Sequence, residues 1–199
     1  MSTTGRIFAA WGNPRGVMRD QMNEGDIDGR ALTFILIAGI LLSIGNLPSA
    51  MMQGGLTNDP GSEPAAAMMA ARFFQVAIGA VAMAVAGLIA APISHLIARA
   101  FGGVGSWATT RLALFWALLT VTPLALLSGI VLAAGVVTGA TWLFEASFLI
   151  GLAMQFVLLH VWSGSLAEAE GFKRSWPTLL GMALILGGIY AALTIGITA

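Results

Sequence analysis

Few side chains in the apolar part of this chain could carry chemistry. Its two histidines are His95 and His160, and a pair at matching depth on two helices has the geometry of bis-histidine haem or pigment ligation. No haem-attachment motif accompanies them, so a hydrogen-bonded packing role is the favoured interpretation. Because the chain has no cysteine, thiolate metal sites, disulfides and cysteine nucleophiles are excluded.

Arg72 and Glu145 are charged residues that lie inside predicted membrane segments. Each lies about one turn from the same predicted surface, so a structural ion pair could tie their helices together. The alternatives are that each side chain reaches separately for water, or that Glu145 takes part in proton or ion coupling. We adopt the ion pair as the prediction.

Enzyme signatures are absent from the sequence. It contains no Gly-x-Ser-x-Gly, His-Glu-x-x-His or P-loop pattern and no paired intramembrane aspartates. Pro48, Pro92 and Pro123 bend predicted helices, but no charge accompanies them in the bilayer centre. This argues against a transporter, although it does not exclude one for a neutral or lipidic solute. The sequence therefore predicts a protein that is not an enzyme and that binds no cofactor.

The composition predicts the elements that position these residues. Hydrophobic residues make up 58% of the 199 residues and charged residues 9%, against roughly 25% charged in soluble domains. This indicates an all-α polytopic membrane protein, and its zero net charge suggests no nucleic-acid partner. We predict a cytoplasmic amphipathic segment at 1–30 and a transmembrane domain at 31–199, with five helices at about 31–52, 68–100, 107–137, 141–164 and 175–198.

The basic residues predict the orientation of this bundle. With the N-terminus in the cytoplasm and the C-terminus outside, only Arg72 would lie on the outer side. Eight basic residues would then lie inside: Arg6, Arg15, Arg19, Arg30, Arg99, Arg111, Lys173 and Arg174.

A gapless match links the two predicted cytoplasmic loops. Six residues between Ala98 and Thr109 recur 69 positions later, between Ala167 and Thr178. Each copy holds a helix cap and an interfacial tryptophan, namely Ser106, Trp107 and Thr109 in the first and Ser175, Trp176 and Thr178 in the second. Either two hairpins are parallel repeats, or abundant Ala and Gly produce the match by chance.

Two rows of small residues predict surfaces where another helix can approach closely. They are Ala82, Ala86 and Ala90 in the second segment and Ala183, Gly187 and Ala191 in the fifth.

Two further motifs carry a family resemblance. They are the opening Trp11-Gly-Asn-Pro14-Arg15 and the hairpin Ser94-His95-Leu96-x-Ala98-Arg99-Ala100-x-Gly102-Gly103-x-Gly105-Ser106. With five helices and a cytoplasmic N-terminus, the chain resembles short bacterial members of the Yip-domain family, membrane proteins named for interaction with Ypt/Rab GTPases. The resemblance implies a bacterial cytoplasmic (inner) membrane protein. Eukaryotic relatives act in vesicle traffic, but this chain lacks their long N-terminal region and acidic Tyr-Gly-Pro-type signature, so GTPase binding is not implied.

We therefore expect a non-catalytic membrane protein that packs with membrane lipids, with other integral membrane proteins or with copies of itself. It would be an assembly, scaffolding or membrane-organising factor. A small transporter or channel for a neutral or lipidic solute is the alternative. A haem- or pigment-associated subunit of a bioenergetic complex is a further one.

Overall fold

The computed structural model describes residues 2–53 and 65–175, together with 178, 179 and 181. Every regular element in this part of the chain is an α-helix. In chain order the helices are α1 Thr3–Gly12, α2 Pro14–Asn23, α3 Ile27–Gln53, α4 Ala65–Ala100, α5 Trp107–Thr120, α6 Thr122–Thr138 and α7 Thr141–Ala169.

Among the described residues, four stretches are long and apolar enough to cross a membrane: Ile27–Ala50, Ala70–Ala100, Trp107–Thr138 and Thr141–Ala169. They correspond to the first four predicted segments and confirm an all-helical membrane fold. The fifth predicted segment lies almost wholly outside the described residues, so the count of five spans and the orientation of the termini stay predictions.

The third span is broken at Val121, between α5 and α6. Pro123 has no N–H for the Leu119 carbonyl, and the Thr122 hydroxyl donates to that carbonyl instead, at 2.9 Å. The Leu124 N–H donates to the Val121 carbonyl at 3.1 Å rather than one residue further back. The predicted kink at Pro123 is therefore a short interruption with its own side-chain cap.

Helix α5 is the core of the bundle. Leu112, Phe115 and Trp116 are fully buried on it, because α3, α4, α7 and α1 all pack around it. The Trp116 ring contacts Phe34 of α3, with ring centroids 5.2 Å apart.

Glycines bring α3 close to two other helices. A Cβ added at Gly39 would lie 2.9 Å from the Ala80 carbonyl oxygen of α4. Gly45 faces Gly129 of α6 so closely that a Cβ on Gly129 would collide with the Gly45 carbonyl. Such approaches suit a membrane bundle, where helix association depends on close packing.

Ion pairs gather the starts of several helices at one end of the bundle. Glu24, just after α2, pairs with Arg6 of α1 and with Arg30 of α3. The hydrogen bond from Arg6 holds the pKa of Glu24 below its ordinary value, aided by Arg30. Asp28 of α3 pairs with Arg111 of α5. This end, which also holds the turns after α4 and α7, is called the basal end below.

Candidate functional site: paired turns at the basal end

The chain leaves α4 through a tight turn. Gly102 adopts a left-handed φ of +87°, which strains residues other than glycine. The Gly103 N–H donates to the Ala98 carbonyl at 2.9 Å, and the Gly102 N–H donates to the Arg99 carbonyl at 3.0 Å. Together these bonds close the end of α4 as a Schellman motif.

The chain leaves α7 through the same turn. Gly171 has a φ of +75°. The Phe172 N–H donates to the Ala167 carbonyl at 2.8 Å, and the Gly171 N–H donates to the Glu168 carbonyl at 3.3 Å. Each bond has its counterpart in the first turn at the offset of 69 residues. The sequence repeat is therefore also a repeat of backbone geometry.

The predicted loop residues make a matching hydrogen bond in the two copies. Ser106 and Thr109 form a capping box at the start of α5, and the Thr109 hydroxyl donates to the Ser106 carbonyl at 2.9 Å. In the second copy the Thr178 hydroxyl donates to the Ser175 carbonyl at 2.6 Å. Trp176 lies outside the described residues.

Glu170, which the sequence analysis did not single out, joins the two turns. It is only 1% exposed. Its Oε1 accepts from the Thr110 hydroxyl at 2.6 Å and from His95 Nδ1 at 2.7 Å, and its Oε2 accepts from the Gly105 N–H at 3.0 Å. Its backbone carbonyl accepts from the Val104 N–H at 2.9 Å. One carboxyl group is thus the shared acceptor of donors from α4, from α5 and from the turn between them.

The surroundings of His95 do not form a catalytic triad. In a triad the acid and the nucleophile use different ring nitrogens, whereas Thr110 and Glu170 both lie against Nδ1, at 3.1 Å and 2.7 Å. The Trp107 ring lies against the imidazole, with centroids 4.3 Å apart. No group of three or more metal-ligating side chains occurs in the described part of the chain. His95 is thus a buried hydrogen-bonding link.

His160 does not join His95, which corrects the predicted bis-histidine geometry. His95 is buried, whereas His160 is exposed on α7. His95 precedes Gly102 by seven residues and His160 precedes Gly171 by eleven. That difference of four residues amounts to about 6 Å along a helix. Equal depth was predicted because α7 was expected to end near Gly164, five residues before its observed end.

The predicted Arg72–Glu145 pair is also corrected. Arg72 Nη1 donates to Gln75 Oε1 at 3.0 Å on its own helix. Glu145 is exposed, and its side chain has no ion-pair or hydrogen-bond partner among the described residues. The physical reason is helix placement, because α4 packs on α3 and α5 whereas α7 packs on α6, α5 and α2.

Helices α1 and α2 form a hairpin whose apex lies between α5 and α7. At the apex, Trp11 Nε1 donates to the Thr120 carbonyl at 3.0 Å, next to the break between α5 and α6. Thr120 lies about 20 Å along α5 from its first residue. Pro14 packs on Gly164, where an added Cβ would lie 2.5 Å from the proline Cγ. The Trp11–Arg15 motif is therefore the deepest part of this hairpin, named the N-terminal hairpin below.

Arg15 connects the N-terminal hairpin to the second turn. Its Nε donates to Glu168 at 2.9 Å, its Nη1 to the Lys173 carbonyl at 2.8 Å and its Nη2 to the Phe172 carbonyl at 2.7 Å. Arg19 adds a bond to Glu168 at 2.7 Å. Because Arg15 and Glu168 are 153 positions apart, no local sequence pattern predicts this contact.

The predicted small row on α4 faces outward. Ala82 and Ala86 are exposed and Ala90 is half-buried. A shallow open groove of about 600 Å³ is lined by Ala77, Ile78, Val81, Ala82, Val85, Ala86 and Ile89. The second row, Ala183, Gly187 and Ala191, lies outside the described residues.

The helices, their apolar outer faces and the internally bonded polar groups define a helical membrane protein. The Yip1 domain family model matches residues 8–196, and the chain belongs to this family. The resemblance to the Yip-domain family, based on the Trp11–Arg15 and Ser94–Ser106 motifs, is thereby confirmed, while the bacterial type stays a prediction. No curated protein and no solved structure matches the chain.

Proposed function

We propose that this protein is a non-catalytic integral membrane protein that works by packing against other membrane proteins or lipids. It would be an assembly, scaffolding or membrane-organising factor of a bacterial cytoplasmic membrane. The observation that supports this most is the contrast between its inside and its outside. The buried polar side chains of Glu170, His95 and Thr110 bond to one another, whereas the outer face of α4 is apolar.

The groove on α4 is the surface that we assign to a helix of another membrane protein. Exposed Ala82 and Ala86 allow a neighbouring backbone to approach closely. The larger Ile78, Val81 and Ile89 beside them are each more than half exposed and would provide dispersion contacts. This surface therefore combines close approach with apolar area.

Ala86→Leu tests the proposal, because leucine would fill the groove. A photoreactive residue at Val81 should form crosslinks to a specific membrane protein in native membranes, and Ala86→Leu should abolish them. Ala153→Leu is the matched control, because Ala153 is an exposed alanine on α7, outside the groove. If Ala86→Leu unfolds in detergent no earlier than the control and keeps all crosslinks, the proposed partner surface is wrong.

A transporter or channel for a neutral or lipidic solute is the second candidate, favoured by the break between α5 and α6. Interrupted helices commonly form transport sites. Here the Thr120 carbonyl at the break is bonded by Trp11, so a solute would have to replace that partner. In proteoliposomes loaded with glycerol as a neutral probe, Trp11→Phe should raise efflux if the break opens to a pathway. Efflux equal to that of protein-free vesicles for both proteins would count against this candidate.

A further inference from the structure

The nine basic residues of the chain differ in whether their side chains have a polar partner. Five pair with acids, namely Arg6, Arg15, Arg19, Arg30 and Arg111. Arg72 bonds to Gln75. The other three, Arg99, Lys173 and Arg174, are exposed, and their side chains have no ion-pair or hydrogen-bond partner in the part of the chain that the structure describes.

These three cations flank the paired turns. Arg99 lies three residues before Gly102, and Lys173 and Arg174 lie two and three residues after Gly171. Because Glu170 bonds to both Val104 and Gly105, the two turns are joined, and the three cations flank one pair of turns at the basal end. The backbone there is also fixed, since Arg15 holds the Lys173 carbonyl.

Exposed apolar side chains lie among the cations. Phe101 is 75% exposed, Val104 is 76% exposed, and Trp107 is half exposed. All three lie where candidate membrane spans end or begin. Aromatic and basic side chains together at such a boundary are typical of contact with headgroups and the first part of the acyl chains.

The repeat shows what the first turn lacks. At the position equivalent to Glu168, which binds Arg15 and Arg19, the first turn has Arg99, whose guanidinium has no partner among the described residues. The second turn is thus covered by a basic helix of this chain, whereas the first presents the opposite charge to its surroundings. The ligand of the first turn should therefore be anionic.

We propose that the paired turns bind the headgroup of an anionic phospholipid. Arg99, Lys173 and Arg174 contact the phosphate, and Phe101 and Val104 contact the start of the acyl chains. A lipid fits better than an acidic protein segment, because it supplies a phosphate and apolar chains at the boundary where both kinds of side chain are exposed. This inference deepens the proposed function by naming a class of lipid partner.

The test compares phosphatidylglycerol with phosphatidylcholine. The purified full-length protein is incubated with mixed micelles containing both lipids in equal amounts, and the lipids that remain bound are counted by native mass spectrometry. Each basic residue near an anionic surface contributes about fivefold, so replacing all three with glutamine should reduce the preference for phosphatidylglycerol by up to roughly 100-fold. Arg72→Gln, at the opposite end of α4, is the matched control and should keep the preference.

The substituted side chains have no ion-pair or hydrogen-bond partner among the described residues, so the triple variant should unfold at the wild-type temperature in neutral detergent. The preference should also fall as salt is added, because exposed charges are screened. No preference in the wild type, or a preference that survives the triple substitution, would overturn the proposal. If a photoreactive residue at Phe101 crosslinks to an acidic protein in native membranes and the triple variant loses that crosslink, the occupant is that protein and the lipid assignment is wrong. The Ala86→Leu crosslinking result is independent of these outcomes and so separates failure of this inference from failure of the proposed function.

Discussion

Glu170→Ala should separate the paired turns and destabilise the whole bundle. The substitution removes the acceptor of three donors, from His95, Thr110 and Gly105. Two of these donors are side chains of α4 and α5, so the loss reaches beyond the turns. The Thr110 hydroxyl could still donate to the Ser106 carbonyl, 3.1 Å away. His95 and the Gly105 N–H would be left at a site where Glu170 is 1% exposed in the wild type, and where water replaces the lost acceptor poorly.

The expected magnitude follows from that burial. A buried donor left without an acceptor costs about 1–3 kcal/mol, so the two donors stranded here should cost about 2–6 kcal/mol. A protein of this size loses about 2–4 °C of melting temperature per kcal/mol, so the midpoint should fall by roughly 4–24 °C. Glu170→Gln should cost less, because glutamine keeps the volume and His95 can change tautomer to accept from its amide.

The assay is thermal unfolding in mild detergent, with Glu145→Ala as the matched control. Glu145 is an exposed glutamate on α7 whose side chain has no partner among the described residues, so its loss should leave the midpoint unchanged. Combining Glu170→Ala with His95→Ala should cost less than the sum of the two single changes, because both remove the same hydrogen bond. If Glu170→Ala unfolds at the same midpoint as the control, Glu170 does not link the two turns. The same conclusion follows if the effects of Glu170→Ala and His95→Ala simply add.

Two more predictions concern the N-terminal hairpin. Gly164→Val should displace the N-terminal hairpin, because the new Cβ would lie 2.5 Å from Pro14 Cγ, and limited proteolysis should then cut the first 25 residues faster. The control is Gly151→Val, because a Cβ at Gly151 would have no neighbour within 4 Å among the described residues. Equal cutting of the two variants would contradict the packing of Pro14 on Gly164. The hydrogen bond from Arg6 lowers the pKa of Glu24 in the folded protein. The stabilisation that ionised Glu24 contributes should therefore be complete above the unfolded pKa of about 4.3, and it should be lost as the pH falls through the lower pKa of the folded state. Glu24→Gln should remove that part of the acid sensitivity, and identical pH profiles for the two proteins would argue against it.

Composition and local pattern predict the spans well but locate some of their ends poorly. The apolar runs predicted the four spans that the described residues contain, and Pro123 correctly predicted the break in the third. The fourth was expected to end at Gly164, yet α7 continues to Ala169. Gly164 is not a helix stop, because its missing side chain makes room for Pro14. A glycine that permits a distant contact cannot be distinguished locally from one that ends a helix.

The site itself was predicted only where its geometry is local. The Ser106 cap and the turn glycines follow from neighbouring residues, and both occur as expected. Glu170 lies in an Ala-Glu-Ala-Glu-Gly run that resembles a solvated loop, and its burial depends on partners as far away in sequence as His95. The predicted ion pair failed for the same reason, because the depth of a charge in a membrane does not show which helices are neighbours.

The repeat explains why one backbone turn can have two opposite roles. Both turns have the same hydrogen bonds and the same left-handed glycine, so their difference must come from side chains at equivalent positions. In the second turn Glu170 points inward to an internal partner, whereas its equivalent Phe101 is exposed in the first. Glu168 likewise binds the N-terminal hairpin, whereas the side chain of its equivalent, Arg99, has no partner in the described part of the chain. The second turn therefore holds the bundle together, and the first is left available for the anionic headgroup that we propose.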